Sequence, residues 1–244
     1  MKRSRLKYCC LALILAVILG SVYFYICCRD SQNVFFASSY GDETVVIDAG
    51  HGGEDGGAVS VSGAVESKIN LDIALRLDEL FGLLGVRSVL LRDSDVSLHD
   101  STAQTLREKK VSDLKNRVSM VDSYDNPVLI SIHQNTYTNS KYHGAQVFYA
   151  NGELSLPFAQ ITQKTLKDVL DPSNSRQPTS VPESVYLMNH IACKAILVEC
   201  GFLSNPQEDA LLQTNGYQTK VALALAGAYV KYQTNLEGET LHAS

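Results

Sequence analysis

The apolar positions of this chain fall into two regimes. Tyr8 to Cys28 is a run of 21 residues without a charge, preceded by Lys2, Arg3, Arg5 and Lys7 and closed by Arg29. At about 1.5 Å per residue a helix of that length crosses a hydrocarbon core of about 30 Å. The run ends in Tyr23-Phe24-Tyr25-Ile26 rather than in a small-x-small site, and Ala37-Ser38-Ser39 makes a poor cleavage site. Residues 1–29 therefore read as a signal-anchor in preference to a cleaved signal peptide, with the basic end in the cytoplasm and the body outside. Residues 30–43 are polar and without pattern, and read as a linker.

From Thr44 onward short apolar runs alternate with helical spacings. Thr44 to Gly50 (TVVIDAG) predicts a buried strand. Ile69, Ile73, Leu77, Leu80 and Leu84 predict a helix over 66–84 that Gly85 closes. Strands follow at 86–91, at 127–132 (PVLISI), at 145–149 and at 195–198 (AILV), with helices at 113–123 and 156–169. The stretch 93–111 is polar, Pro172, Pro178 and Pro182 mark a loop, and 206–232 is largely helical with a break expected near Gly216. This alternation predicts one α/β domain over 44–234, a largely parallel mixed sheet of about six strands with helices on both faces, and a polar tail at 235–244.

Composition narrows the function classes. Hydrophobic residues at 45% and charged residues at 19% are globular values that exclude a disordered body. Four of the 21 basic residues and none of the 26 acidic ones precede position 29, which leaves 17 against 26, a net −9. An acidic body argues against nucleic acid as a partner. Cys9, Cys10, Cys27 and Cys28 sit in the apolar run, as small hydrophobes or sites of lipid attachment. Cys193 and Cys200 flank a strand whose length separates them by roughly 20 Å, so they are expected to be free thiols.

The chemically unusual residues gather at strand ends and one helix start. His51 follows the first strand, His133 follows PVLISI, Glu199 follows AILV, and Glu66 opens the first helix. In a parallel α/β sheet these positions share one edge. Two imidazoles with one of the two carboxylates make a three-donor zinc site with a position left open for water, whose pKa zinc lowers to about 7. The other carboxylate can take a proton from that water and return it to a departing amine. Glycines in GHGGEDGG let backbone and substrate come close to His51.

His99, His143, His190 and His242 read as ordinary loop residues, and Asp48 and Asp55 as turn or supporting groups. Asn135 either orients a ligand or caps a strand. There is no Gly-Lys-Ser/Thr phosphate loop, no His-Glu-x-x-His helix and no Gly-x-Ser-x-Gly elbow. The residues reach a metal hydrolase and name no substrate.

At these positions the sequence resembles the zinc-dependent N-acetylmuramoyl-L-alanine amidases. The similarity is carried by VVIDAGHGGEDGGA at 45–58, Glu66 with Asn70, LLR at 90–92, DLKNR at 113–117, ISIHQN at 130–135, GAQVFY at 144–149 and AILVECGFLSNPQE at 195–208. The resemblance implies that His51, Glu66 and His133 hold zinc and that Glu199 is the catalytic glutamate. It implies as substrate the peptidoglycan amide between the lactyl group of N-acetylmuramic acid and L-alanine.

RQP at 176–178 with YLM at 186–188 looks like the germination-specific, spore-cortex branch, which prepares muramic acid for conversion to the δ-lactam. Such an enzyme works outside the cytoplasm, in the cell wall or the forespore intermembrane space, held to the membrane by its N-terminal segment. A vegetative autolysin, a zinc peptidase of another bond and a non-catalytic wall-binding protein are the rival readings. Lys194 stands where members often have proline, and Gln134 where they have a small residue. Regulatory protein partners are not identified by the sequence.

Overall fold

Thr44–Ala49 (β1) is buried at every position because both of its faces are covered, which is why it reads as a continuous apolar run. The structure, a computed structural model, describes residues 42–242, with side chains to 236. The expected anchor and most of the expected linker lie outside the described residues.

Five further strands join β1: β2 (Ser88–Leu90), β3 (Pro127–Asn135), β4 (Gln146–Ala150), β5 (Thr179–Ser180) and β6 (Lys194–Phe202). Their order is β2-β1-β3-β6-β4-β5. All neighbours are parallel except β4 and β6, which are antiparallel. The sheet is thus largely parallel and mixed, as expected. Among the described residues six helices cover it. α1 (Glu66–Leu84), α3 (Gly152–Leu170) and α6 (Asn215–His242) pack Leu77, Phe81, Phe158 and Tyr229 on one face. α2 (Leu106–Asp122) and α4 (Tyr186–His190) pack Val121, Leu187 and Met188 on the other. α5 (Pro206–Leu212) follows β6.

Several boundaries depart from the pattern, each for a local reason. α1 ends as expected: Gly85 adopts φ 70°, and the Val86 amide donates to the Phe81 carbonyl at 2.9 Å, a Schellman closure. α2 begins seven residues before 113 because Thr105 and Glu108 form a reciprocal capping box, at 3.2 and 3.0 Å. Its first turns carry exposed Leu106 and Val111, which hides the helical period. β3 and β6 run past the expected ends, so His133 and Glu199 lie within strands rather than after them. The C-terminal break falls at 213–214, near Gly216 as expected, but α6 continues to His242 through the stretch read as a polar tail.

Glu43, just before β1, is buried and accepts hydrogen bonds from Tyr229 Oη and Gln233 Nε2 and an ion pair from Lys194. Lys194 also lies over the Tyr232 ring at 5.4 Å. That gives the departure from proline a local role, since proline has no ammonium to pin the start of β1.

Candidate metal centre

At the C-terminal end of β1 the backbone turns abruptly. The Gly50 amide still donates to Ile132 O at 3.0 Å, after which His51 takes φ 62°, unusual for a residue with a Cβ. Such a conformation costs on the order of 1–3 kcal/mol and must be held by its surroundings.

Two guanidinium groups hold it. Arg92, buried, donates from Nε to Ala49 O at 2.8 Å and from Nη2 to Gly50 O at 3.1 Å and Ser67 O at 2.8 Å. Arg117, also buried, donates from Nη1 to Ala49 O at 3.1 Å and from Nη2 to His51 O at 2.8 Å. Arg117 is neutralised by Asp113, 2.7 Å from its Nε, and by Asp48. Asp48 also accepts from Ser131 Oγ at 2.6 Å.

Gly50 has no room for a side chain, since a Cβ there would lie 2.2 Å from His133 Cε1. Gly57, at φ 71°, is tighter in function: a Cβ would stand 2.6 Å from both Glu66 Oε2 and His51 Cδ2.

Glu66 opens α1 and is the hub of the site, its side chain 4% exposed against 21% for each histidine. Its Oε2 accepts from the Ala58 amide at 2.8 Å. Its Oε1 accepts from the Gln134 amide at 3.1 Å and from Asn70 Nδ2 at 3.3 Å. The same oxygen lies 3.4 Å from His51 Nε2 and 3.1 Å from His133 Nδ1. Alternation along β3 sends Gln134 to the opposite face from His133. There Gln134 Nε2 donates to Asn70 Oδ1 at 3.1 Å, so the residue that departs from the family pattern steadies the group that steadies Glu66.

One donor atom from each of His51, Glu66 and His133 lies within 4.8 Å of the others. His51 Nδ1, on the far side of its ring, is 3.2 Å from Asp55 Oδ2, which also pairs with Lys110 at 3.2 Å. The imidazole is thereby oriented as metal-binding histidines are, with one nitrogen inward and the other on a carboxylate. The carboxylate and the imidazoles are electrostatically coupled here. Burial would raise the Glu66 pKa, but hydrogen bonds and charge from His133 and His51 hold it far below the carboxylate range. Burial would lower that of His51, but Asp55 and Glu66 lift it to about 9.

Glu199 is the Cα partner of His133 across β3 and β6. Its Oε2 is buried with no hydrogen-bond partner among the described residues. Burial, reinforced by the charge on Glu66, raises its pKa to about 7. A cavity of about 240 Å³ borders Glu199, His133 and His51, walled by Lys110 and Leu114 of α2 and by Tyr186 and Met188 of α4. All four sequence-selected residues therefore meet at one edge of the sheet.

The other histidines lie apart. His99 pairs with Ser97, His143 with Asp171 and His190 with Tyr186 O, while His242 falls where no side chains are described. Asn135 ends β3, its carbonyl accepting from Leu203 at 2.8 Å. Cys193 and Cys200 are free thiols. The sequence reading gave no role to Arg92 or Arg117. A signal existed for Arg117: it shares a helical face with Leu114, Val118 and Val121, where a charge must find buried partners.

Comparison with known proteins identifies the family of the chain. Residues 45–230 match the family model described as N-acetylmuramoyl-L-alanine amidase, Amidase_3. The chain belongs to that family, and it is an N-acetylmuramoyl-L-alanine amidase acting on peptidoglycan. Within the family its similarity points to the germination-specific branch. It is 32% identical over 194 residues to the germination-specific N-acetylmuramoyl-L-alanine amidase of Bacillus subtilis, covering 78% of this chain and 79% of that one. It superposes on the CwlD amidase of Clostridioides difficile, solved in complex with the GerS lipoprotein, with TM-score 0.75 and 38% identity over 79% of this chain and 99% of that one. The amidase AmiC2 of Nostoc punctiforme matches with TM-score 0.68 and 26% identity, over 80% and 99% of the two chains.

Proposed function

We propose that this chain is a zinc-dependent amidase in which His51, Glu66 and His133 hold the metal and Glu199 handles the proton, acting in maturation of the spore cortex. The observation that carries the reading is the convergence of His51 Nε2, His133 Nδ1 and Glu66 Oε1 beside the unpartnered Glu199 Oε2. Nitrogen and oxygen donors at about 2.0–2.2 Å from zinc stand roughly 3.3–3.6 Å apart at the tetrahedral angle. Of the separations around Glu66, 3.4 Å falls within that range and 3.1 Å just below it, close enough for a small outward shift of the donors to admit the ion.

Zinc bound there supplies Lewis-acid polarisation of water and of the scissile carbonyl. The rest is done by this chain. Glu199 takes the proton from the attacking water and delivers it to the L-alanine nitrogen as the amide breaks, for which a pKa of about 7 is well placed. Asp55 fixes the His51 ring, and Asn70, Gln134 and Ala58 fix Glu66.

The role in cortex maturation, with δ-lactam formation downstream, is supported by similarity to the Bacillus subtilis and Clostridioides difficile enzymes. The proposed place of action is outside the cytoplasm, with residues 1–29 as membrane anchor. A lipoprotein of the kind seen with the Clostridioides difficile relative is a proposed binding partner. The decisive experiment measures metal content of the purified chain and digests peptidoglycan with it. Stoichiometric zinc and new peptides beginning with a free L-alanine amine are expected; activity that survives complete removal of metal would overturn the reading.

A further inference from the structure

Arg176 is a cation without a counter-ion among the described residues, held by hydrogen bonds near the reaction centre. Its Nε donates to His143 O at 3.1 Å and its Nη1 to Gln146 Oε1 at 2.9 Å. Its guanidinium lies over the Phe202 ring at 4.7 Å and within 5.9 Å of the Tyr142 ring. It is half-buried and, among the described residues, forms no ion pair. Ordering a long side chain costs entropy, and here the backbone, an amide and an aromatic face hold it without a carboxylate in attendance.

Its position relative to Glu199 follows from the sheet. Gln146 at the start of β4 is the Cα partner of Glu199 on β6, in the antiparallel pair. Directly opposed residues of an antiparallel pair share a face, with Cβ atoms about 4.5–5.5 Å apart. Glu199, Gln146 and Arg176 therefore form one row leading away from the metal cluster. On the other side of the cluster the cations are already neutralised, Lys109 by Glu54 and Lys110 by Asp55.

We infer that Arg176 is a specificity residue that binds a carboxylate of the stem peptide just beyond the L-alanine. A peptide advances at most about 3.3–3.6 Å per residue. One that starts with its scissile nitrogen at Glu199 and crosses Gln146 brings its next carboxylate to Arg176 after one or two residues. The stem then leaves toward β4 and the glycan toward α2. A preset planar fork is suited to a carboxylate, and an otherwise acidic body makes this cation a directional cue.

The test uses the zinc-loaded full chain and two soluble muramoyl peptides that differ only in whether the residue after L-alanine bears a free carboxylate or its carboxamide. The wild type is expected to prefer the carboxylate form by about 10- to 100-fold in kcat/KM, as for a charge-assisted bond. Raised salt should narrow the preference. Arg176→Gln should bring the ratio of the two substrates to within about twofold, and Arg176→Lys should keep part of it. Equal loss on both substrates in Arg176→Gln would mean a purely structural role and overturn the inference, as would a wild type that cuts both forms equally well. A wild type that cuts neither would overturn the amidase assignment, and this inference with it.

Discussion

Arg117 donates from Nη2 to the carbonyl oxygen of His51 at 2.8 Å, across 66 positions of sequence. The bond makes a half-buried histidine answerable to a buried arginine: the backbone that carries His51 sits at φ 62° with its carbonyl held from below. Arg117→Lys keeps the charge but cannot reach Asp48, Ala49 O and His51 O together. Zinc affinity is expected to fall about 10- to 100-fold, the usual cost of disturbing a ligand's support. Competition against a chelator measures it, and an unchanged affinity would show that the arginine does not govern the histidine.

Glu199 and His133 face each other across two strands and should fail differently. Glu199→Gln preserves shape and leaves the three donors in place, so zinc stoichiometry stays near that of the wild type while turnover drops by about 10² to 10⁴. His133→Ala removes a donor and should lose both metal and turnover. Metal analysis beside amidase rates separates the two. Full activity in Glu199→Gln would remove the glutamate from the mechanism.

Gly57→Ala tests the crowding between ligands. The added methyl would meet Glu66 Oε2 and His51 Cδ2 at 2.6 Å, at a φ of 71° that alanine tolerates poorly. The fold should persist with a modest loss of stability, while zinc affinity falls by at least about tenfold. A metal titration compared with a thermal melt gives the answer. A variant that binds zinc normally would mean that the loop can yield without moving the donors.

Acid stability should depend on Asp48. Burial would raise its pKa, but the Arg117 and His133 charges and hydrogen bonds from Ser131 and Arg117 hold it below the ordinary value. A carboxylate with a depressed folded-state pKa contributes stability that is complete above the unfolded value of about 3.9 and is lost as pH falls through the folded one. Asp48→Asn should cost about 3–5 kcal/mol at pH 7, the cost of breaking a buried pair. The gap to the wild type should then shrink below about pH 4. Denaturant melts from pH 7 to 3 check this; a gap that is constant with pH would contradict it.

Five of the six strands, the long helices and the placing of the four residues at strand and helix ends were legible from periodicity. The two-residue β5 and the five-residue α4, too short to show a period, fall in what reads as a proline-marked loop. Short apolar runs rich in β-branched residues, such as PVLISI, point to buried strands, and a residue next to such a run then sits near a strand end. What was not legible depends on long-range polar contacts. His133, Gln134 and Asn135 interrupt the apolar run, so β3 looked shorter than it is; they are tolerated inside a strand because Glu66, Asn70 and Leu203 bond them. The early start of α2 was written in Thr105 and Glu108, a signature that exposed Leu106 and Val111 obscured. The support given by Arg92 and Arg117 to three successive carbonyls leaves no local trace in the sequence.

The strand order carries one more implication, for the timing of synthesis. β6 is the last strand in the chain, yet it lies in the interior of the sheet between β3 and β4. Until it inserts, β3 has one unpaired edge, and the residues proposed to hold zinc have no Glu199 beside them. The proposed site is thus complete only when the last strand of the chain closes the gap between β3 and β4.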